Sequence, residues 1–187
     1  MSKIKIIPIE IDQFTEIISI LDLQLGKGYI KRSKLLEYIK DEKKIGFTAV
    51  TDGKISGVLL TKTYMSWSSL ETVILKEKDW FKINLVEKFP VGIIDIIGVI
   101  PQLTGHGIGT LLVKEGIETL NKNCNSIISF VWKHPNKTPL ASILEKNNFI
   151  LQRTIPAYWG EDNLTKKYEC KYCRDSRCLC HVLIYKK

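Results

Sequence analysis

The sequence predicts one domain of the α/β class over residues 1–187, in which strands and helices alternate around a central sheet. The first observation is a near-continuous apolar run at 91–100, the pattern of a strand that is covered on both faces. The second is a succession of strand and helix periodicities without an internal repeat or linker. The third is the length of 187 residues with 44% hydrophobic content, which supports one core without disulfides or a structural metal.

The first half of the chain contains the expected elements in a simple order. Alternating β-branched residues at 3–7 predict a strand, and apolar residues at helical spacing predict a helix after residue 12 and another after residue 33. Asp52-Gly53 predicts a tight hairpin between two strands, because this dipeptide accepts positive φ. A helix is expected within 80–88, in a segment that otherwise shows little pattern.

The second half has stronger patterns. After the apolar strand and Pro101 comes a glycine-rich turn, followed by helical spacing over about 108–121. A buried strand is expected at 126–132, a helix at 139–147 and a strand from Phe149. Residues 163–187 are predicted to form a cysteine-rich terminal extension, in which 168–171 and 180–185 pair as a hairpin.

The glycine-rich turn suits a phosphate group. A helix N-terminus offers unpaired N–H groups and partial positive charge, and glycines allow the backbone to approach closely. A Walker A loop is excluded because Thr110-Leu111 follows Gly109 where Lys and Ser or Thr are required. A dinucleotide fingerprint is excluded because the third glycine comes one place early and 126–132 holds no acid. A plain glycine-rich connection is the alternative.

The segment 99–112 resembles the acetyl-coenzyme A signature of the GNAT superfamily of N-acetyltransferases, and 141–149 is similar to the family's second cofactor-side helix. The resemblance covers most of the chain. It implies a mixed, largely antiparallel sheet flanked by helices, with acetyl-CoA in a cleft between two central strands. It also implies that the strand edge binds the pantetheine arm and that N–H groups of the turn bind the pyrophosphate. The implied cofactor contacts are Ile97, Val99, Thr104, Gly105, His106, Gly107, Ile108, Gly109 and Thr110.

Two catalytic residues are proposed from the sequence. Asp95 is the sole carboxylate in the central strand, and similar family members often use an acid at this place to draw the amine proton through water. A structural role for this inward polar residue is the alternative. The position of the family's usual Arg or Gln falls on Thr104, and that of its tyrosine acid falls on Leu144. Another residue must then protonate the leaving thiolate, and Tyr158 is the first candidate because it follows the strand after the second cofactor-side helix. His134, or water alone, is the next.

The helices before Gly46 and the segment 64–90 are expected to build the pocket for the acceptor amine. The aromatic residues expected either to line this pocket or to pack in the core are Trp67, Trp80, Phe81, Trp132 and Trp159.

The C-terminal segment carries most of the cysteines. Cys170, Cys173, Cys178 and Cys180 lie within eleven positions of one another, a density that favours Zn²⁺ held by thiolates in a cytosolic protein. Free thiols and redox pairing remain open. Cys124 stands apart.

The predicted function is acyl transfer from acetyl-CoA to an amine of unknown identity. A non-catalytic coenzyme A-binding module and a zinc-knuckle nucleic-acid-binding protein are the alternatives. The formal charge of +8 is compatible with a polyanionic partner, but nucleic acid is not expected. No membrane association and a cytoplasmic location are expected, because neither a signal peptide nor a membrane span is visible. A homodimer is left open.

Overall fold

The computed structural model describes residues 3–133, 138–170, 173 and 178–187. Its strands are β1 (Ile4–Pro8), β2 (Lys44–Thr51), β3 (Lys54–Tyr64), β4 (Val91–Val99), β5 (Ser126–Trp132), β6 (Ile150–Ile155) and β7 (Val182–Lys186). Its α-helices are α1 (Phe14–Leu25), α2 (Arg32–Lys40), α3 (Trp67–Leu70), α4 (Lys78–Asn84), α5 (Ile108–Leu120), α6 (Pro139–Lys146) and α7 (Gly160–Lys166). No helix among these described residues is long and apolar enough to cross a membrane.

The seven strands form one sheet in the order β1-β2-β3-β4-β5-β7-β6. The pairing is antiparallel except between β4 and β5, which run parallel. This mixed, largely antiparallel sheet confirms the predicted fold class. The hairpin between β2 and β3 turns at Asp52 and Gly53, which have φ of 51° and 77°.

The position of β7 differs from the prediction for residues 163–187. β7 lies between β5 and β6 and pairs with both. It is therefore an integral strand of the sheet and not one arm of an appended hairpin. The cysteine-rich segment is a connection that leads into this strand.

β3 and β4 are covered on both faces, which explains their apolar composition. Leu59 on β3 packs in a cluster with α5, whereas its neighbours Val58 and Leu60 pack with α1 and α2. Successive side chains of a strand point to opposite faces, so helices lie on both sides of the sheet. A third cluster, around Phe81 and Tyr158, covers the far end of the sheet.

A bulge in β4 interrupts its pairing with β3. Leu60 is opposite Ile96 and Thr61 is opposite Ile94, so Asp95 is the extra residue. Bulges redirect side chains and are frequent beside functional sites.

Candidate active site

The two central strands separate partway along their length and leave a cleft between them. Residues 91–94 of β4 pair with 126–129 of β5. At the fork, the hydroxyl of Ser129 donates to the carbonyl of Ile94 at 3.1 Å. The cleft has a volume of about 640 Å³, and it is bounded by the end of α1, β4, the glycine turn, β5, the start of α6 and the cysteine-rich segment.

The exposed edge of β4 faces this cleft. On the opposite edge, the N–H of Ile100 donates to the carbonyl of Ser56 on β3 at 2.9 Å. Because hydrogen-bonding groups alternate sides along a strand, the backbone groups of Ile97 and Val99 face the cleft. The side-chain amide of Gln24 reaches in from α1 and donates to the Val99 carbonyl at 2.5 Å.

The turn before α5 depends on glycine for its backbone conformation. φ is +89° at Gly105 and +82° at Gly107, a region that costs other residues about 1–2 kcal/mol. A Cβ at either position would meet nothing within 4 Å. The need for these two glycines therefore comes from the left-handed backbone and not from close packing within the protein.

Gly109 is different, because it lies in the first turn of α5 and lines the cleft. A Cβ there would come within 3.3 Å of Ile143 on α6 and 3.8 Å of Val99 on β4. Leu111 is the first helical residue whose N–H bonds back to the turn, at 3.0 Å from the Gly107 carbonyl. Along the described chain, the earlier N–H groups of α5 are open to an anion, as helix N-termini are.

Of the nine predicted cofactor contacts, seven line the cleft. These are Ile97, Val99, Thr104, Gly105, Gly107, Gly109 and Thr110. The side chain of Ile108 is buried under the sheet and that of His106 is exposed. These two residues could contribute through their backbone only.

Asp95 projects into the cleft from the bulge, with its carboxylate already engaged. Lys62 Nζ lies 2.5 Å from Asp95 Oδ2, and the Tyr38 hydroxyl donates to the same oxygen at 3.1 Å. The Asp95 side chain is 25% exposed. It is therefore a partnered carboxylate at the cleft surface and not a lone acid buried in an apolar strand.

Two tyrosines near Asp95, Tyr29 and Tyr38, are neutral, and the Tyr38 hydroxyl donates to the carboxylate. Burial raises the pKa of Tyr38 far above its usual range, and the negative charge of Asp95 raises it further. Burial likewise raises the pKa of Tyr29, with a second contribution from Asp95. Tyr29 lines the cleft, whereas Tyr38 supports Asp95 from behind.

Tyr158 does not fit the acid role predicted from the sequence. It is 1% exposed, packs beneath the other half of the sheet, and is not among the residues that line the cleft. Its hydroxyl accepts the backbone N–H of Leu75 at 3.1 Å. Burial raises the pKa of Tyr158 above its usual range. This placement corrects the prediction to a structural role.

The other positions considered for the acid leave its identity open. Leu144 is fully buried in the core, and His134 lies outside the described residues. Tyr29 and Tyr168 are the tyrosines that line the described part of the cleft. Sequence reasoning did not select either of them, because they lie far from the signature and belong to no motif.

The aromatic residues divide between the core and the cleft. Trp67, Trp80 and Phe81 pack in the cluster at the far end of the sheet. Trp132 and Trp159 line the cleft. Of the regions expected to build the acceptor pocket, Gln24 of α1 and Tyr29 of the following loop line this cleft, whereas no residue of 64–90 does.

The four C-terminal cysteines converge on one point. Their sulfur atoms all lie within 4.8 Å of one another. Cys173 Sγ and Cys180 Sγ are 3.6 Å apart, and all the described cysteines are free thiols.

Hydrogen-bond donors surround this sulfur cluster. The backbone N–H of Leu179 donates to Cys173, and the indole of Trp132 donates to Cys180. Burial outweighs the indole bond at Cys180, whose pKa is raised, and it raises the pKa of Cys178 to about 11. The convergence of four sulfur ligands, and not a lowered thiol pKa, therefore suits the cluster to a soft cation.

The chain is similar to known proteins in both sequence and structure. A model of the acetyltransferase (GNAT) family matches residues 9–149. NAA60 from Arabidopsis thaliana in complex with acetyl-CoA has a TM-score of 0.70 at 13% identity, covering 99% of this chain and 98% of that one. The same protein with a bisubstrate analogue gives 0.70 at 14% identity, covering 99% and 97%. An N-acetyltransferase from Staphylococcus aureus gives 0.67 at 13%, covering 100% and 98%. No curated protein sequence matches the chain significantly.

Proposed function

The chain belongs to the acetyltransferase (GNAT) family, and from this premise we propose that it transfers an acetyl group from acetyl-CoA to a primary amine in the β4–β5 cleft. The observation that carries the proposal is the cleft itself, which is lined by the glycine turn, by the exposed edge of β4 and by Asp95 in the bulge of that strand. The family makes the chain an acyltransferase, and the donor and acceptor assignments are the proposal.

The donor is held mainly by main-chain groups. The open N–H groups at the start of α5 and in the turn bind the pyrophosphate, because the helix N-terminus carries partial positive charge. The cleft-facing backbone of Ile97 and Val99 pairs with the extended pantetheine arm, as an added strand would. The Val99 N–H donates to the thioester oxygen and stabilises the negative charge that develops there during attack.

The acceptor enters beside Asp95. The amine must lose a proton before its nitrogen attacks the thioester carbon, and we assign this proton to the Asp95 carboxylate, directly or through water. Lys62 and Tyr38 hold that carboxylate in place on Oδ2. The new C–N bond replaces the C–S bond, and the sulfur leaves as a thiolate that takes up a proton. Tyr29 and Tyr168 are the side chains to test as its source.

The thiol cluster carries a separate proposal, which is a Zn²⁺ site. Tetrahedral zinc with Zn–S bonds of about 2.3 Å places its sulfur ligands about 3.8 Å apart. The sulfur separations of up to 4.8 Å need only a small contraction to reach this geometry. Reduced thiols in this number also agree with the cytoplasmic location expected from the sequence. Metal analysis of the purified chain should find about one zinc per molecule.

An amine screen tests the proposed activity. The full chain is incubated with acetyl-CoA and a panel of small amines and peptides with free N-termini, and products are identified by mass spectrometry. Thiol-reactive dyes are unsuitable, because the five cysteines of the chain would react with them. Acetylated product supports the proposal. Binding of acetyl-CoA without any product would instead identify a coenzyme A-binding module, and absence of binding would reject both.

A further inference from the structure

The cysteine-rich segment touches the loop between α1 and α2, far away in sequence. The N–H of Glu169 donates to the carbonyl of Lys27 at 3.1 Å. The rings of Tyr168 and Tyr29 meet edge to face, with centroids 5.1 Å apart. Gly26 lies so close that a Cβ there would be 1.8 Å from the Glu169 carbonyl oxygen. The two segments therefore form one continuous wall.

This wall borders the cleft. Tyr168, Cys170 and Cys178 line it from the C-terminal segment, and Gln24 and Tyr29 line it from the α1 side. Burial and then the negative charge of Asp95 raise the pKa of Tyr29, so the Tyr29 part of the wall lies near the carboxylate beside which the acceptor is proposed to enter. The wall meets the proposed donor site at Gln24, whose side-chain amide donates to the Val99 carbonyl.

Little regular structure holds the C-terminal part of this wall in place. Between α7 and β7 the described residues form no helix and no paired strand. Asn163 anchors the start of the segment by donating to the Tyr168 carbonyl at 2.6 Å. The convergence of the cysteine sulfurs is the main feature after that point. A crosslink between the cysteines would lower the entropic cost of ordering this segment, because it would fix backbone that no helix or strand holds.

We infer that Zn²⁺ bound by Cys170, Cys173, Cys178 and Cys180 holds residues 168–170 against residues 26–30, and that this lock forms the acceptor-binding wall. The inference rests on the proposed acetyl transfer for the identity of the acceptor end. Each Zn–S bond replaces an S–H bond and releases its proton to solvent, with no change of oxidation state. Trp132 links the metal site to the cleft, since it lines the cleft and donates to Cys180.

Metal removal provides the first test. Zinc is stripped from the full chain with a chelator under reducing conditions, and the zinc-loaded chain is the reference. We expect hydrogen exchange to become faster in residues 24–30 as well as in the cysteine segment. Because a preformed wall reduces the ordering cost of binding, the KM for the amine should rise about tenfold while the Kd for acetyl-CoA changes less than about twofold. Cobalt in place of zinc should give the absorption of tetrahedral thiolate coordination.

Cysteine variants separate the metal site from general thiol effects. Cys170→Ser and Cys180→Ser should lose zinc and reproduce the exchange and KM changes. Cys124→Ser is the matched control, because Cys124 lies outside the cluster and contacts Thr63. It should keep zinc and the native KM. A chain that binds neither zinc nor cobalt refutes the metal site.

A glycine pair tests the lock without replacing a ligand. Gly26→Ala would drive a Cβ into Glu169, whereas Gly53→Ala, at φ +77° in the β2–β3 hairpin, introduces backbone strain outside the wall and meets nothing within 4 Å. Gly26→Ala should retain zinc yet raise the amine KM and the exchange of the loop, and Gly53→Ala should do neither. Unchanged exchange and KM in zinc-loaded Gly26→Ala would overturn the lock. If the amine screen yields no product, the proposed function fails, but zinc content and hydrogen exchange still decide the inference.

Discussion

The two ends of the cleft are built in different ways. The proposed donor end is formed by residues 96–110, a single stretch that supplies a strand edge, a turn and a helix N-terminus. The proposed acceptor end is assembled from α1, the following loop, the β4 bulge at Asp95 and the cysteine-rich segment, which together span more than a hundred residues of the chain. The donor end works mainly through backbone groups and the acceptor end through side chains. The donor end should therefore tolerate changes of exposed side chains that the acceptor end would not.

The largest effect is expected from a side chain placed where the donor binds. Gly109→Val adds bulk between α5, Ile143 and Val99. It should raise the Kd for acetyl-CoA about 100-fold, since a displacement of about 1 Å in a positioned ligand has effects of this size. Isothermal titration calorimetry measures the Kd, and circular dichroism checks the fold.

His106→Ala is the matched control for this prediction. The His106 side chain is exposed in the same turn and does not line the cleft. If the turn binds through its backbone, the Kd should stay within about twofold of the original value. A large loss of affinity in His106→Ala would show that the donor end also depends on side chains.

The second-largest effect is expected at the proposed acceptor end, from a change at Asp95. Asp95→Asn removes the proposed proton acceptor and should lower kcat about 100-fold, within the range for general acid–base groups, with the acetyl-CoA Kd unchanged. Steady-state kinetics at saturating acetyl-CoA measure kcat, and isothermal titration calorimetry measures the Kd. Lys62→Gln is the companion variant, because it removes the ion pair but keeps the carboxylate. Equal kcat in Asp95→Asn and the unaltered enzyme would exclude Asp95 from the chemistry.

The difference between the two ends of the cleft also explains which features could be predicted from the sequence. The donor half follows from local patterns, and β4, α5 and β5 lie within a residue or two of their predicted bounds. Pairing partners do not follow from local patterns. Strand character in 180–185 was visible, but its insertion between β5 and β6 depends on which sheet edges are free.

The residues at the proposed acceptor end do not follow from the sequence, for a related reason. The segment 157–159, which follows the strand after the second cofactor-side helix, suggests Tyr158 as the acid, but its neighbour Trp159 lines the cleft while Tyr158 points into the core. Neighbouring side chains commonly face different ways, so proximity in sequence does not predict a shared site. Gln24 and Tyr29 have no motif at all, and only their tertiary position beside Asp95 identifies them.

The smallest effect on activity is expected from Tyr158, which is buried in the core and does not line the cleft. Tyr158→Phe should leave kcat within about twofold and lower the free energy of unfolding by about 1 kcal/mol, because the Leu75 N–H loses its acceptor. Thermal unfolding and kinetics measure the two quantities. Burial raises the pKa of Tyr158 in the folded chain, so its contribution is complete below the unfolded value of about 10 and falls as pH rises above it. When the pH is raised from neutral to above about 10, the free energy of unfolding should therefore fall less for the variant than for the unaltered chain. A large fall in kcat with unchanged stability would return Tyr158 to the active site and require that the cleft extend further than the described residues indicate.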